Sequence, residues 1–146
     1  MFKNILVPTD GSEHSQGAVR AAVELAKLHG ARVTGVHVIP DYHLLIAYEG
    51  AFDPVTEERI EEEAKARGAA YLAFVRDTAA NSNVPCETVC ETSDHPYEAI
   101  LRIADAKGCD LIVMTSHGRK GLAAVLLGSE TRKVLAHAKM PVLVVR

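Results

Sequence analysis

The sequence predicts a single α/β domain with a parallel sheet covered by helices on both faces. Three observations carry that reading. Short β-branched-rich runs alternate regularly with stretches of helical period along the whole chain. The fourth of these runs, Leu111-Ile112-Val113-Met114, is apolar at every position, as a strand buried on both faces must be. The chain has 146 residues, 48% of them apolar and 24% charged, which suits one domain with a well-buried core.

The first strand is Ile5-Leu6-Val7, stopped by Pro8. Residues 12–29 follow a helical period, with Ala18, Ala22, Leu25 and Ala26 on one face and Gly30 placed to terminate the helix. Residues 33–39 form the second strand, ended by Pro40. Residues 41–53 show no period and read as a loop with room for a helical turn. A long helix is predicted over 54–80, burying Ile60, Ala64, Gly68, Tyr71, Leu72, Val75 and Ala79. The third strand covers 84–91. Ser93 or Asp94 is expected to cap the next helix, with Pro96 in its first turn and Tyr97, Ile100, Leu101 and Ala104 inward. After the fourth strand come a glycine-bearing loop over 115–128, a last helix over 129–138 and a fifth strand over 141–145. Right-handed crossovers make such a βαβαβαβαβ order doubly wound.

Composition narrows the function. Sixteen Lys and Arg against nineteen Asp and Glu leave a net charge of −3, without the basic excess of a dedicated nucleic-acid binder. No apolar run approaches the roughly 20 residues that a membrane helix needs, and the first residues are soon interrupted by Pro8 and Asp10, so a cytoplasmic location is expected. Cys86, Cys90 and Cys109 are an odd count and suit a reducing compartment; they are expected to be small buried residues, too far apart along an extended strand for a Cys86–Cys90 bond. None of the seven histidines stands at ligand spacing from a cysteine or a second histidine, so no metal site is expected.

Ligands of doubly wound sheets bind at the carboxyl ends of strands where the winding reverses, which points to the loops after the first and fourth strands. In the first loop, Val7-Pro8-Thr9-Asp10-Gly11-Ser12, the Asp10 carboxylate suits ribose hydroxyls or an adenine amine. It equally suits a helix N-cap, a service Ser12 also offers. In the second, Thr115-Ser116-His117-Gly118-Arg119-Lys120-Gly121 leads to Gly128-Ser129 at a helix start. Glycines permit close backbone approach, a helix start attracts anions, and Arg119 and Lys120 add positive charge, which makes a phosphate cradle; a capped helix after a loop with two wet basic residues is the alternative. Known nucleotide and hydrolase signatures of other kinds are absent.

The ordered set Ile5 to Ser12, His37-Val38, Asp110 to Met114, Ser116-His117-Gly118, Leu127-Gly128-Ser129 and Pro141 to Val145 resembles the universal stress protein family across essentially the whole chain. The resemblance implies a five-stranded parallel sheet in order 3-2-1-4-5, a homodimer through strand 141–145, and adenosine contacts from Pro8, Thr9, Asp10 and Val38. ATP-binding members of the family carry Gly, two residues, Gly, nine residues, Gly and then Ser or Thr. Here the spacing from Gly118 to Gly128-Ser129 is kept, but Thr115 replaces the first glycine. The phosphate end would comprise Thr115, His117, Gly118, Arg119, Gly128, Ser129, Glu130 and Thr131. Glu130 stands where ATP-binding members often carry a small apolar residue; inward it would oppose a triphosphate, outward it costs little. The implied function is an ATP-binding regulatory protein of the stress response, with Mg²⁺ on the phosphates and no catalytic residue beyond slow hydrolysis. The alternative is a dimeric interaction module of the same fold that binds no nucleotide. Electron transfer or nucleotidyl transfer on a related α/β fold is a third reading, without a flavin signature or a paired-histidine motif to support it.

Overall fold

A computed structural model of the chain describes residues 1–42, 54–117 and 127–146. The elements alternate as expected: β1 (Asn4–Pro8), α1 (Glu13–His29), β2 (Arg32–Ile39), α2 (Pro54–Asn81), β3 (Cys86–Thr92), α3 (Pro96–Ala106), β4 (Leu111–Thr115), α4 (Ser129–His137) and β5 (Val142–Val145). The five strands form one parallel sheet in the order β3-β2-β1-β4-β5, so the winding reverses between β1 and β4. The segment 43–53, read from sequence as a loop, lies outside the described residues.

Side-chain alternation along the central strands divides the core in two. Ile5, Val7, Val33, Leu111 and Val113 face α1 and α2, where Val19, Val23, Val75 and Ala79 meet them. Leu6, Val36, Ile112 and Met114 face α3 and α4, against Ile100, Ile103 and Val134. β1 and β4 are covered on both faces, which is why their sequences are continuously apolar. Full burial of each such side chain contributes about 1.5–3 kcal/mol.

The helix ends show which sequence signals hold. Ser12 is the N-cap of α1 and accepts from Ser15 N–H, while Gly30 terminates the helix in the left-handed region at φ 63°. α2 buries Ala64, Gly68, Leu72, Val75 and Ala79 as expected, with Ile60 and Tyr71 half-buried at the stripe's edge. α3 departs from expectation. Its N-cap residue is His95, which gives no side-chain cap; the Ser93 hydroxyl instead accepts from His95 N–H at 3.1 Å. The cysteines also differ from expectation: Cys109 is buried, Cys86 half-buried and Cys90 exposed, all three free. Cys90 lies on an edge strand, so half its surroundings are solvent. No helix among the described residues is long and apolar enough to cross a membrane.

Candidate functional site at the sheet switch point

The loop leaving β1 is held by its own backbone. Thr9 N–H donates to the Val36 carbonyl at 2.8 Å, continuing the β1–β2 ladder one residue beyond the strand. Its hydroxyl lies 3.1 Å from Ser15 Oγ and accepts from Gly11 N–H, and its carbonyl oxygen is 2.8 Å from His37 Nδ1. Every polar group of buried Thr9 is therefore engaged inside the chain, so this residue shapes the loop around Asp10. Asp10 is half-buried, and its Oδ1 accepts from Ser12 N–H at 2.9 Å. The capping role that sequence left open thus belongs to Ser12, and the Asp10 carboxylate braces the residue before the helix. Gly11 has φ 76°, and a Cβ there would fall 2.2 Å from the Tyr71 ring, so only glycine lets this loop close onto α2. Pro8 ends β1 and pairs with Val36; Val38 is half-buried on β2, packed toward α3 and α4.

The segment leaving β4 joins the start of α4 through Ser116. Ser116 N–H donates to Val145 and its carbonyl accepts from Gly128 N–H at 2.7 Å, closing the base of the loop between them. Thr131 is buried, and its hydroxyl donates to the Thr115 carbonyl at 2.9 Å. Half-buried Thr115 accepts from His117 N–H through its own hydroxyl. Two hydrogen bonds thus fix the first turn of α4 beside the carboxyl end of β4. Gly128, not Ser129, is the N-cap, with φ −55°, so α4 opens without a side-chain cap from its N-cap residue. At this φ Gly128 does not need left-handed backbone. Ser129 is exposed in the first turn. Gly118 and Arg119 lie outside the described residues.

Glu130 answers the question its sequence position raised. Its Oε2 accepts from Tyr97 N–H at 2.9 Å and its Oε1 from Lys133 Nζ at 3.0 Å. The carboxylate thus supplies the cap that α3 lacks locally, and its charge is spent on a neighbouring helix start and on a lysine. His117 places Nδ1 2.7 Å from Ser116 Oγ, while its Nε2 is buried without a partner among the described residues. Its ring lies 6.2 Å from that of His14 in the first turn of α1, linking the two loops across the switch point.

Three residues that hold these loops were not among the site residues read from the sequence. Ser116 closes the second loop, and Tyr71 and His37 back the first, their rings edge to face at 5.1 Å. Gly68 in the middle of a helix was a sequence signal for His37, because an added Cβ there would meet that ring at 2.9 Å. Burial pushes all three cysteine thiols up from their ordinary value, which leaves none of them poised as a nucleophile.

The sequence profile of the Universal stress protein family matches residues 1–146. The chain is 38% identical to a universal stress protein of Thermus aquaticus encoded in the QAH/OAS sulfhydrylase 3′ region, over the full length of both. Among solved structures it resembles universal stress protein UspA from Lactobacillus plantarum, with TM-score 0.79 and 29% identity over 99% of this chain and 97% of that one. It shares its fold with the universal stress protein from Archaeoglobus fulgidus solved in complex with dAMP, at TM-score 0.72 and 21% identity over 99% and 98% of the two chains. A profile match along the whole chain, joined to this strand order, places the protein in the universal stress protein family.

Proposed function

We propose that this chain binds an adenine nucleotide, with ATP as the form the site suits best, and that its role is regulatory. The observation that carries the reading is the start of α4. It opens without a side-chain cap at Gly128 and is tied to β4 by the Gly128–Ser116 hydrogen bond. Uncapped first-turn N–H groups at a strand's carboxyl end are a ready anion site, and phosphates are the anions that such sites take in doubly wound folds. Asp10, one strand away, supplies a carboxylate for ribose, and the Val38 backbone borders the adenine end. Glu130 no longer opposes the phosphates, because its charge is committed to Tyr97 N–H and Lys133. A relative of the same fold holds dAMP, which agrees in chemical class with this site. Mg²⁺ would arrive on the phosphates. The proposal includes no catalytic residue, a cytoplasmic location, and a homodimer through β5.

The test is direct. Protein purified from the cell is denatured, and the extract is assayed by mass for nucleotide; ATP is then titrated calorimetrically into stripped protein. An adenine nucleotide in the extract or saturable binding of ATP is expected. Neither in the extract nor in calorimetry would make the chain an interaction module that keeps only the fold. Thr115→Gly sharpens the result. If the threonine side chain crowds the phosphates, the variant binds ATP several-fold tighter, a change of about 1 kcal/mol. Weaker binding would make the hydroxyl itself a ligand.

A further inference from the structure

β1 and β4 are parallel neighbours where the winding reverses, so the helices that follow them, α1 and α4, both begin at the carboxyl end of the sheet. Each side of that opening contributes an imidazole. His14 stands in the first turn of α1 and His117 in the segment leaving β4, with their rings 6.2 Å apart and tilted by 48°. His117 is anchored from below. Its N–H donates to Thr115 Oγ1, and its Nδ1 lies 2.7 Å from the hydroxyl of Ser116, whose carbonyl accepts from Gly128 N–H at the N-cap of α4. Its Nε2 is buried and has no partner among the described residues, a cost that a polar ligand can recover. His14 is exposed, and the fold at the start of α1 makes no use of it. Ser12 caps the helix through Ser15 N–H, and the Asp10 carboxylate accepts from Ser12 N–H. Glu13, also exposed, stands about 100° away around the helix. The first turn of a helix is the positive end of its dipole, which favours an anion over a cationic side chain. A bound anion beside His14 reverses that balance.

We propose that His14 binds the outer phosphates of the nucleotide, across the opening from the start of α4. The inference rests on the adenine-nucleotide reading above and adds to it a residue and a ligand class. An imidazole N–H donates to a phosphate oxygen, and the bond is charge-assisted because the acceptor is ionised. The phosphate chain is then held from two helix starts, α4 at Gly128 and α1 at His14, with His117 between them. The ligand class that such a grip selects is the nucleoside polyphosphate. A single phosphate seated at Gly128 has no further group to offer His14, whereas the outer phosphates of ATP do.

The experiment titrates ATP and AMP calorimetrically into stripped, full-length protein, as wild type and as His14→Gln. The substituted side chain is exposed, so the melting temperature of the variant should match the wild type. The wild type should bind ATP more tightly than AMP. In His14→Gln the ATP affinity should fall about tenfold, the loss of one charge-assisted hydrogen bond, while the AMP affinity stays as it was. His29→Gln, at the other end of the same helix, should leave both affinities unchanged. A His14→Gln protein that binds ATP as tightly as the wild type overturns the proposal. So does one that loses ATP and AMP affinity in equal proportion. Both of these outcomes leave the nucleotide reading standing. A wild type that binds neither ATP nor AMP removes the two together.

Discussion

β3 and β5 close the two ends of one parallel sheet, and their outer edges carry opposite chemistry. Along β3, Glu87 is held by Arg32 at 3.2 Å and Lys107 at 2.9 Å, and Glu91 is paired with Arg102. Ion-paired side chains on an edge keep other strands from adding to it. β5 reads Val142-Leu143-Val144-Val145, without a charge, and Leu143 is 42% exposed. An unguarded apolar edge of this kind is an aggregation hazard unless it is covered, and a two-fold contact with the same strand of a second chain covers it in a closed way. The difference is what the proposed homodimer rests on: one edge is guarded by ion pairs and the other is left apolar.

The largest expected effect breaks the comparison at β5. Leu143 is the large apolar side chain of that strand that faces solvent, so Leu143→Glu should leave the monomer folded and place a carboxylate in the proposed contact. An uncompensated buried charge costs about 3 kcal/mol or more, so self-association should weaken by more than about a hundredfold. Sedimentation of the wild type as a monomer at micromolar concentration would remove the dimer, whatever the variant did.

A smaller effect separates the edges by pH. The hydrogen bond from Lys107, reinforced by the charges of Lys107 and Arg32, holds the Glu87 carboxyl below its ordinary value of 4.5. A depressed carboxylate contributes stability above its unfolded value, and that contribution is lost as pH falls through the folded one. The gap in melting temperature between wild type and Glu87→Gln should therefore be present at pH 7 and shrink as pH falls below about 4.5. A partly exposed pair of this kind is worth at most about 1 kcal/mol. A gap that persists unchanged to pH 3 would show that the side chain acts through packing.

The smallest effect is Arg102→Ala, which releases Glu91 at the outer end of β3. Its ion pair is solvent-exposed, so chemical denaturation should register only a few tenths of a kcal/mol. A loss above 2 kcal/mol would mean that this pair carries load beyond guarding the edge.

Much of the architecture was legible in the sequence because it depends on neighbours close along the chain. The switch of apolar period located the nine elements of the described residues to within two residues or so, the full apolarity of 111–114 marked a central strand, and Gly30 marked the end of α1. The positions of the two candidate loops followed from element order alone. What escaped depends on partners far apart in sequence. Ser93 or Asp94 was a reasonable cap for α3 by local rules, yet Glu130 performs that service from a different helix. The bonds that hold Thr9 from β2 were equally out of reach, since Val36 and His37 meet it only across the sheet. His37 and Cys90 lie far apart in the sequence, and only the parallel register of β2 with β3 places them side by side under Gly68. A strand's period is set by its own backbone and can be read locally. Which residues face one another across strands and between helix starts is set by register and packing, and that only the folded chain decides.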